Sequence, residues 1–142
     1  MVTEILDIDN LLSELPKNYR WSGVHPNTVI GHIHLNVSNL KRAEEFYCGA
    51  LGFAAMQRSY PGALFVSAGG YHHHIGLNTW TGRGTGPASD DTTGLVRFGI
   101  DLGNHGAVVE FISHLQSDHI SCSVEQSSVI CRDGDNIEIE IS

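Results

Sequence analysis

The side chains whose types and spacing could do chemistry here are imidazoles and carboxylates. Nine histidines in 142 residues are the compositional outlier. His32 and His34 lie in the alternating run Ile30-Gly31-His32-Ile33-His34-Leu35-Asn36-Val37, three more form Tyr71-His72-His73-His74, and Glu138 and Glu140 alternate with Ile137, Ile139 and Ile141. Imidazole and carboxylate together are what a divalent cation needs. Imidazole also moves protons near neutral pH. The histidine triplet follows a Gly69-Gly70 turn inside the chain and is not a tag, since tags sit at termini.

Strands must position these groups, and in a strand successive side chains point to opposite faces. Ile33, Leu35 and Val37 then share one face, and His32, His34 and Asn36 the other. A fourth strand over Tyr71 to Trp80 puts Ile75 and Leu77 against His72, His74, Gly76 and Asn78. A fifth puts Val96, Phe98 and Ile100 against Arg97, Gly99 and Asp101, and the last sets the isoleucines against Glu138 and Glu140. With the aliphatic faces packed on helices, the opposite faces collect His32, His34, His72, His74, Arg97, Glu138 and Glu140. A merely solvated face would carry Lys, Thr, Ser and Glu, so the set points to a metal site. On this parity His73 turns to the helix side, where burial needs a hydrogen-bond partner. His74, nearer the strand middle, is preferred as a ligand, with His72 as second choice or as an acid/base group. His25, His105, His114 and His119 read as surface residues.

The elements fall into two similar modules. Asn39 or Ser38 caps a helix whose apolar residues Leu40, Ala43, Phe46, Tyr47, Ala50 and Leu51 stop at Gly52. Strands follow over 53–59, 63–68 and 71–80, divided by Pro61-Gly62 and Gly69-Gly70. With the first strand this is βαβββ. After a loop over 81–92, an alternating run at 95–102, a helical face of Val108, Phe111, Ile112 and Leu115, and short strands at 121–125, 128–132 and 136–141 repeat the plan. The step from His32 to Arg97 equals that from Phe46 to Phe111, as a duplication requires. The predicted class is α+β, with module one over 28–80 and module two over 93–142 of a domain spanning 28–142. Residues 1–27 form a short helix, with Ile8, Leu11, Leu12 and Leu15 on one face, and a tether.

Composition bounds the partners. The 41% apolar content suits a compact domain, and a net charge of −8 with scattered basic residues argues against nucleic acid or an anionic membrane. Cys48, Cys122 and Cys131 are odd in number without CxxC spacing, and no leader or membrane-length apolar run is seen, so a reduced cytoplasmic setting is expected.

The segment Ile30 to Leu40 with Ala43, Phe46-Tyr47 and Leu51-Gly52-Phe53, closed by Asp133-Gly134-Asp135-Asn136-Ile137-Glu138-Ile139, resembles the vicinal oxygen chelate superfamily of glyoxalases, bleomycin-resistance proteins and extradiol dioxygenases. More narrowly, Leu64 to Trp80 is similar to the C-terminal half of the catechol-2,3-dioxygenase-like proteins of bacilli. The resemblance implies two βαβββ modules forming a cup-shaped mixed sheet. It also implies that His32 and Glu138 are metal ligands. The extradiol pattern expects a further histidine where this chain has Arg97, so a third ligand must come from His74 or His72.

The function so implied is metal-dependent cleavage of a catechol-type ring. His32, His74 and Glu138 hold a divalent metal, Fe(II) ahead of Mn(II) or Zn(II), and His34 or His72 serves as acid/base. Arg97, Trp80, Phe65 and Tyr60 bind a small aromatic or vicinal-oxygen substrate. The alternatives are a resistance-type binding module without turnover and a glyoxalase or isomerase on the same site. Relatives carry two such domains in one chain. A single one implies a fragment, a split gene product, or a chain that restores the pairing, for which a homodimer is expected.

Overall fold

The computed structural model describes residues 5–81, 84–87, 89, 91–117, 120–125 and 128–142. His119 and four positions of the 81–92 loop lie outside these. The chain divides into two units, residues 1–30 and 31–142.

In the first unit, α1 (Ile8–Ser13) starts at Asp7, whose carboxylate accepts from the Asn10 N–H at 2.9 Å. The helix buries none of its residues. It is shorter than the apolar pattern to Leu15 predicts, because so short a helix gains little from propensity and is held mainly by its cap.

The second unit contains the two modules. Module one runs β1 (Ile33–Asn36), α2 (Leu40–Glu44), a π-helical turn (Glu45–Ala50), β2 (Ala54–Gln57), β3 (Ala63–Ser67) and β4 (Ile75–Asn78). Module two runs β5 (Arg97–Ile100), α3 (His105–Ser117), β6 (Cys122–Glu125), β7 (Ser128–Arg132) and β8 (Glu138–Ile141). The two four-stranded sheets share one order, β1-β4-β3-β2 and β5-β8-β7-β6. In each, the first and last strands pair in parallel and the rest antiparallel. The duplication read from spacing is thus a duplication of topology.

Each helix is capped as its sequence dictates. Asn39 accepts from the Arg42 N–H at 3.0 Å, and Asn104 from the Ala107 N–H at 2.9 Å. The core of module one gathers Leu35, Val37, Ala43, Tyr47, Leu64, Val66, Ile75 and Leu77. That of module two gathers Val108, Leu115, Val129, Cys131, Ile139 and Ile141. Phe46, Leu51 and Phe98 pack against both, so the modules share apolar contacts.

A polar clamp also ties the modules. Buried Asp133 accepts from the Tyr47 hydroxyl at 2.9 Å and from the N–H groups of Asp135 and Ile137 at 2.8 and 3.0 Å. The Asp135 carboxylate accepts from the Ser38 N–H at 3.1 Å, and Arg42 donates to the Gly134 carbonyl at 2.6 Å. The turn between β7 and β8 is therefore seated on the start of α2.

The expectation for the fourth strand fails at its start. The fourth strand begins at Ile75, not at Tyr71, and residues 71–74 are irregular. Gly69 and Gly70 both take positive φ, at 62° and 75°, and the chain re-enters the sheet only after this turn. Strand parity therefore does not govern His72, His73 and His74.

Candidate functional site

The site face of module one is the side of its sheet turned away from α2. Ile33 pairs with Ile75 and His34 with Gly76 in the parallel β1–β4 ladder, so the entries to these strands lie side by side. His32 precedes one strand and His72-His73 the other. Their rings meet: His73 lies 4.6 Å from His32 and 4.6 Å from His72, and His32 lies 6.2 Å from His72, centroid to centroid. Among the described residues, His32, His72 and His73 are the group of ligand atoms that converges, all within 4.8 Å of one another.

His73 is the residue that sequence reasoning missed. It is buried, as expected, but it faces the other imidazoles rather than the helix. Neither Nδ1 nor Nε2 has a hydrogen-bond partner. Burial, and then the charges of His32, His72, His34 and His74, hold its pKa below the ordinary imidazole value. The available signal was Gly69-Gly70, which marks a turn tight enough to shift the strand start.

His74 does not join the group. Its Nδ1 accepts from the Ala68 N–H at 3.3 Å and lies 3.0 Å from Ser67 Oγ, with the ring beside Tyr71. Its Nδ1 is thus engaged by the Ser67–Ala68 segment, and His74 is not among the converging ligand atoms. Glu138 is also outside the group. Arg97 donates to its Oε2 through Nε at 3.0 Å and Nη2 at 2.9 Å, and Arg132 donates to its Oε1. These bonds, Arg97's first, hold the Glu138 carboxyl below the usual carboxylate range. Arg97 also reaches Glu140 Oε2 through Nη1 at 3.3 Å, so the expected anchor is committed to two carboxylates. Arg132, opposite Glu138 in the β7–β8 ladder, is a further residue that sequence reasoning missed.

His34 sits 5.3 Å from His32 and 5.8 Å from His73. Its ring lies over Gly76, where a Cβ would come within 2.9 Å of the imidazole. Glycine is what lets the ring rest there. From His73 a file of rings continues to Phe65 at 5.0 Å, Tyr60 at 6.5 Å and Trp80 at 6.0 Å. Trp80, 57% exposed, is pinned by its Nε1–H to the Pro61 carbonyl at 3.1 Å. The expected aromatic residues are thus assembled on one face. A cavity of about 800 Å³ is bounded by His34, Asn36 and Thr81 on one side and by Arg132, Asn136 and Glu138 on the other. His105 and His114 are exposed, as expected, and His114 Nε2 lies 3.2 Å from the Ala50 carbonyl.

Residues 29–141 match the profile of the Glyoxalase/Bleomycin resistance protein/Dioxygenase superfamily. The chain belongs to this superfamily. Over 129 residues it is 42% identical to "Catechol-2,3-dioxygenase" of Bacillus subtilis (strain 168), a match covering 89% of this chain and 44% of that protein. The chain thus spans less than half the length of this relative. Among solved structures, lactoylglutathione lyase from Agrobacterium tumefaciens aligns with a TM-score of 0.62 at 18% identity, over 82% of this chain and 94% of that one. A glyoxalase/dioxygenase from Nostoc punctiforme aligns with a TM-score of 0.64 at 17% identity, over 87% and 97%. At such identities the likeness concerns the fold, which is the α+β arrangement described above. No helix among the described residues is long and apolar enough to cross a membrane.

Members of this superfamily bind a divalent metal, and the imidazole cluster is compatible with one. The donors differ in fitness. Both Glu138 oxygens are taken by guanidinium groups, whereas the buried His73 nitrogens are unpartnered beside two further imidazoles.

Proposed function

We propose that this chain binds a catechol-type molecule on the concave face of module one and, with a divalent metal, cleaves its ring. The observation that carries the reading is the file of rings from His73 through Phe65 and Tyr60 to Trp80. It offers a flat aromatic ligand stacking and edge contacts along its length, with imidazoles at one end. The identity to a protein named catechol-2,3-dioxygenase supports the same substrate class. A divalent metal, Fe(II) on this reading, would be held by the imidazole cluster and would supply the Lewis acidity and the redox partnership with O2 that ring cleavage needs.

The chain's own residues do the rest. Phe65, 7% exposed, forms the floor and Trp80 the outer wall. His34, poised over Gly76 beside His32, takes the proton that a substrate hydroxyl gives up, since imidazole suits proton transfer near neutral pH. His72, at the exposed edge of the cluster, lies on the metal side of this division of labour. An anionic substrate group reaches Arg97 only in competition with Glu138 and Glu140. Pairing of two copies in the cytoplasm belongs to the same reading, and the solution mass tests the pairing.

The test is oxygen consumption by the Fe(II)-loaded protein on addition of catechol, in step with loss of catechol absorbance. Catechol binding without oxygen uptake sinks ring cleavage and supports a binding module without turnover. That second reading is favoured by the Arg97 and Arg132 bonds, which withdraw Glu138 from chemistry.

A further inference from the structure

The three converging imidazoles come from two segments of one module. The parallel pairing of β1 with β4 places their entries together, and the Gly69-Gly70 turn brings His72 and His73 back beside His32. Topology thus brings the two backbone entries together, and the rings of His32, His72 and His73 meet there. His73 makes the arrangement unusual. It is only 6% exposed, and both ring nitrogens lack a partner. A buried polar group left in this state costs free energy that something must offset. Its ring neighbours are His32, His34, His72 and Phe65. A cation accepting lone pairs from His32, His72 and His73 satisfies them together. Glu138 lies in the other module with both oxygens engaged, and would have to give up its arginine bonds to serve as a ligand.

We propose that module one alone builds the metal centre, from His32, His72 and His73, and that Glu138 is a structural anion between Arg97 and Arg132. The inference rests on the metal-dependent reading above and alters its donor set. Three neutral imidazoles suit Zn(II), Co(II) or Fe(II), and they leave the ion's double positive charge uncompensated. Such a centre favours an anionic chelating ligand more strongly than one that includes a carboxylate. The ligand atoms all lie within 4.8 Å of one another, near the roughly 3.4 Å that separates two nitrogens on a tetrahedral ion.

The test is titration of the metal-free, tag-free protein with Co(II), followed by visible absorption, and with Zn(II), followed by calorimetry. One equivalent is expected to bind. His32→Ala and His72→Ala each lower the affinity at least about 100-fold, and Glu138→Gln binds as wild type. His72 is exposed, so its variant remains informative even if His73→Ala fails to fold. Loss of metal in Glu138→Gln, wild-type affinity in His72→Ala, or no stoichiometric binding at all overturns the proposal. Histidine-dependent binding without oxygen uptake leaves this donor set standing and removes ring cleavage. Oxygen uptake with Glu138-dependent binding does the reverse.

Discussion

Arg97 and Glu138 face each other across the parallel β5–β8 ladder, with the guanidinium Nε and Nη2 at 3.0 and 2.9 Å from Oε2. Arg132 holds the other oxygen from β7. The folded state thereby lowers the Glu138 pKa, so the ionised form stabilises the protein above the ordinary carboxylate range, and this contribution disappears as pH falls through the native value. Glu138→Gln is expected to lower Tm at neutral pH, by a margin that closes as pH falls below the ordinary carboxylate range. Melting curves across the acid range check this. A constant gap would show that the charge on Glu138 is not what the arginines hold.

Tyr47 and Asp133 give a second acid-dependent effect of opposite sense. Burial raises the Asp133 pKa above its ordinary value, against the lowering effect of the Ile137 and Asp135 N–H groups and the Tyr47 hydroxyl. A carboxyl shifted upward contributes stability in acid that is lost as pH rises through its native value. Tyr47→Phe removes a donor and raises that value further. We expect a loss of about 1–3 kcal/mol at pH 7, shrinking toward pH 4. Urea unfolding at the two pH values measures it, and an equal loss at both would contradict the assignment.

Phe46, Leu51 and Phe98 pack against both cores, so the modules are expected to unfold together. Leu77→Ala and Leu115→Ala, one in each core, should each cost about 2–5 kcal/mol while keeping a single transition. Fluorescence and circular dichroism transitions that separate in either variant would show independent modules.

Trp80 reports on its own site. In a Trp21→Phe background, a bound catechol is expected to quench the remaining indole. Trp80→Ala should weaken catechol binding about 2- to 10-fold, the equivalent of one ring contact. Unaltered affinity in a calorimetric titration would remove Trp80 from the binding face.

Much of this architecture is legible in the sequence because the hydrophobic period reports directly on the strands and helices. β7 was predicted with the bounds Ser128–Arg132 that it has. Two kinds of information were not legible. Parity assumes an unbroken strand, and the paired positive-φ glycines break it ahead of His72, so His73 rather than His74 is among the converging imidazoles. Face assignment also says which residues share a surface but not which of them neutralise one another. Glu138 sits on the strand between β5 and β7, opposite an arginine on each side, and only the ladder register reveals that both its oxygens are taken.

The imidazole of His34 resting over Gly76 carries a consequence for anyone reshaping this protein. The floor beneath that ring is bare backbone, so one added methyl has no room unless the ring lifts. Alanine at position 76 would therefore displace the His34 ring, and Gly76→Ala is the substitution that reports what the ring's seat over bare backbone contributes to the site.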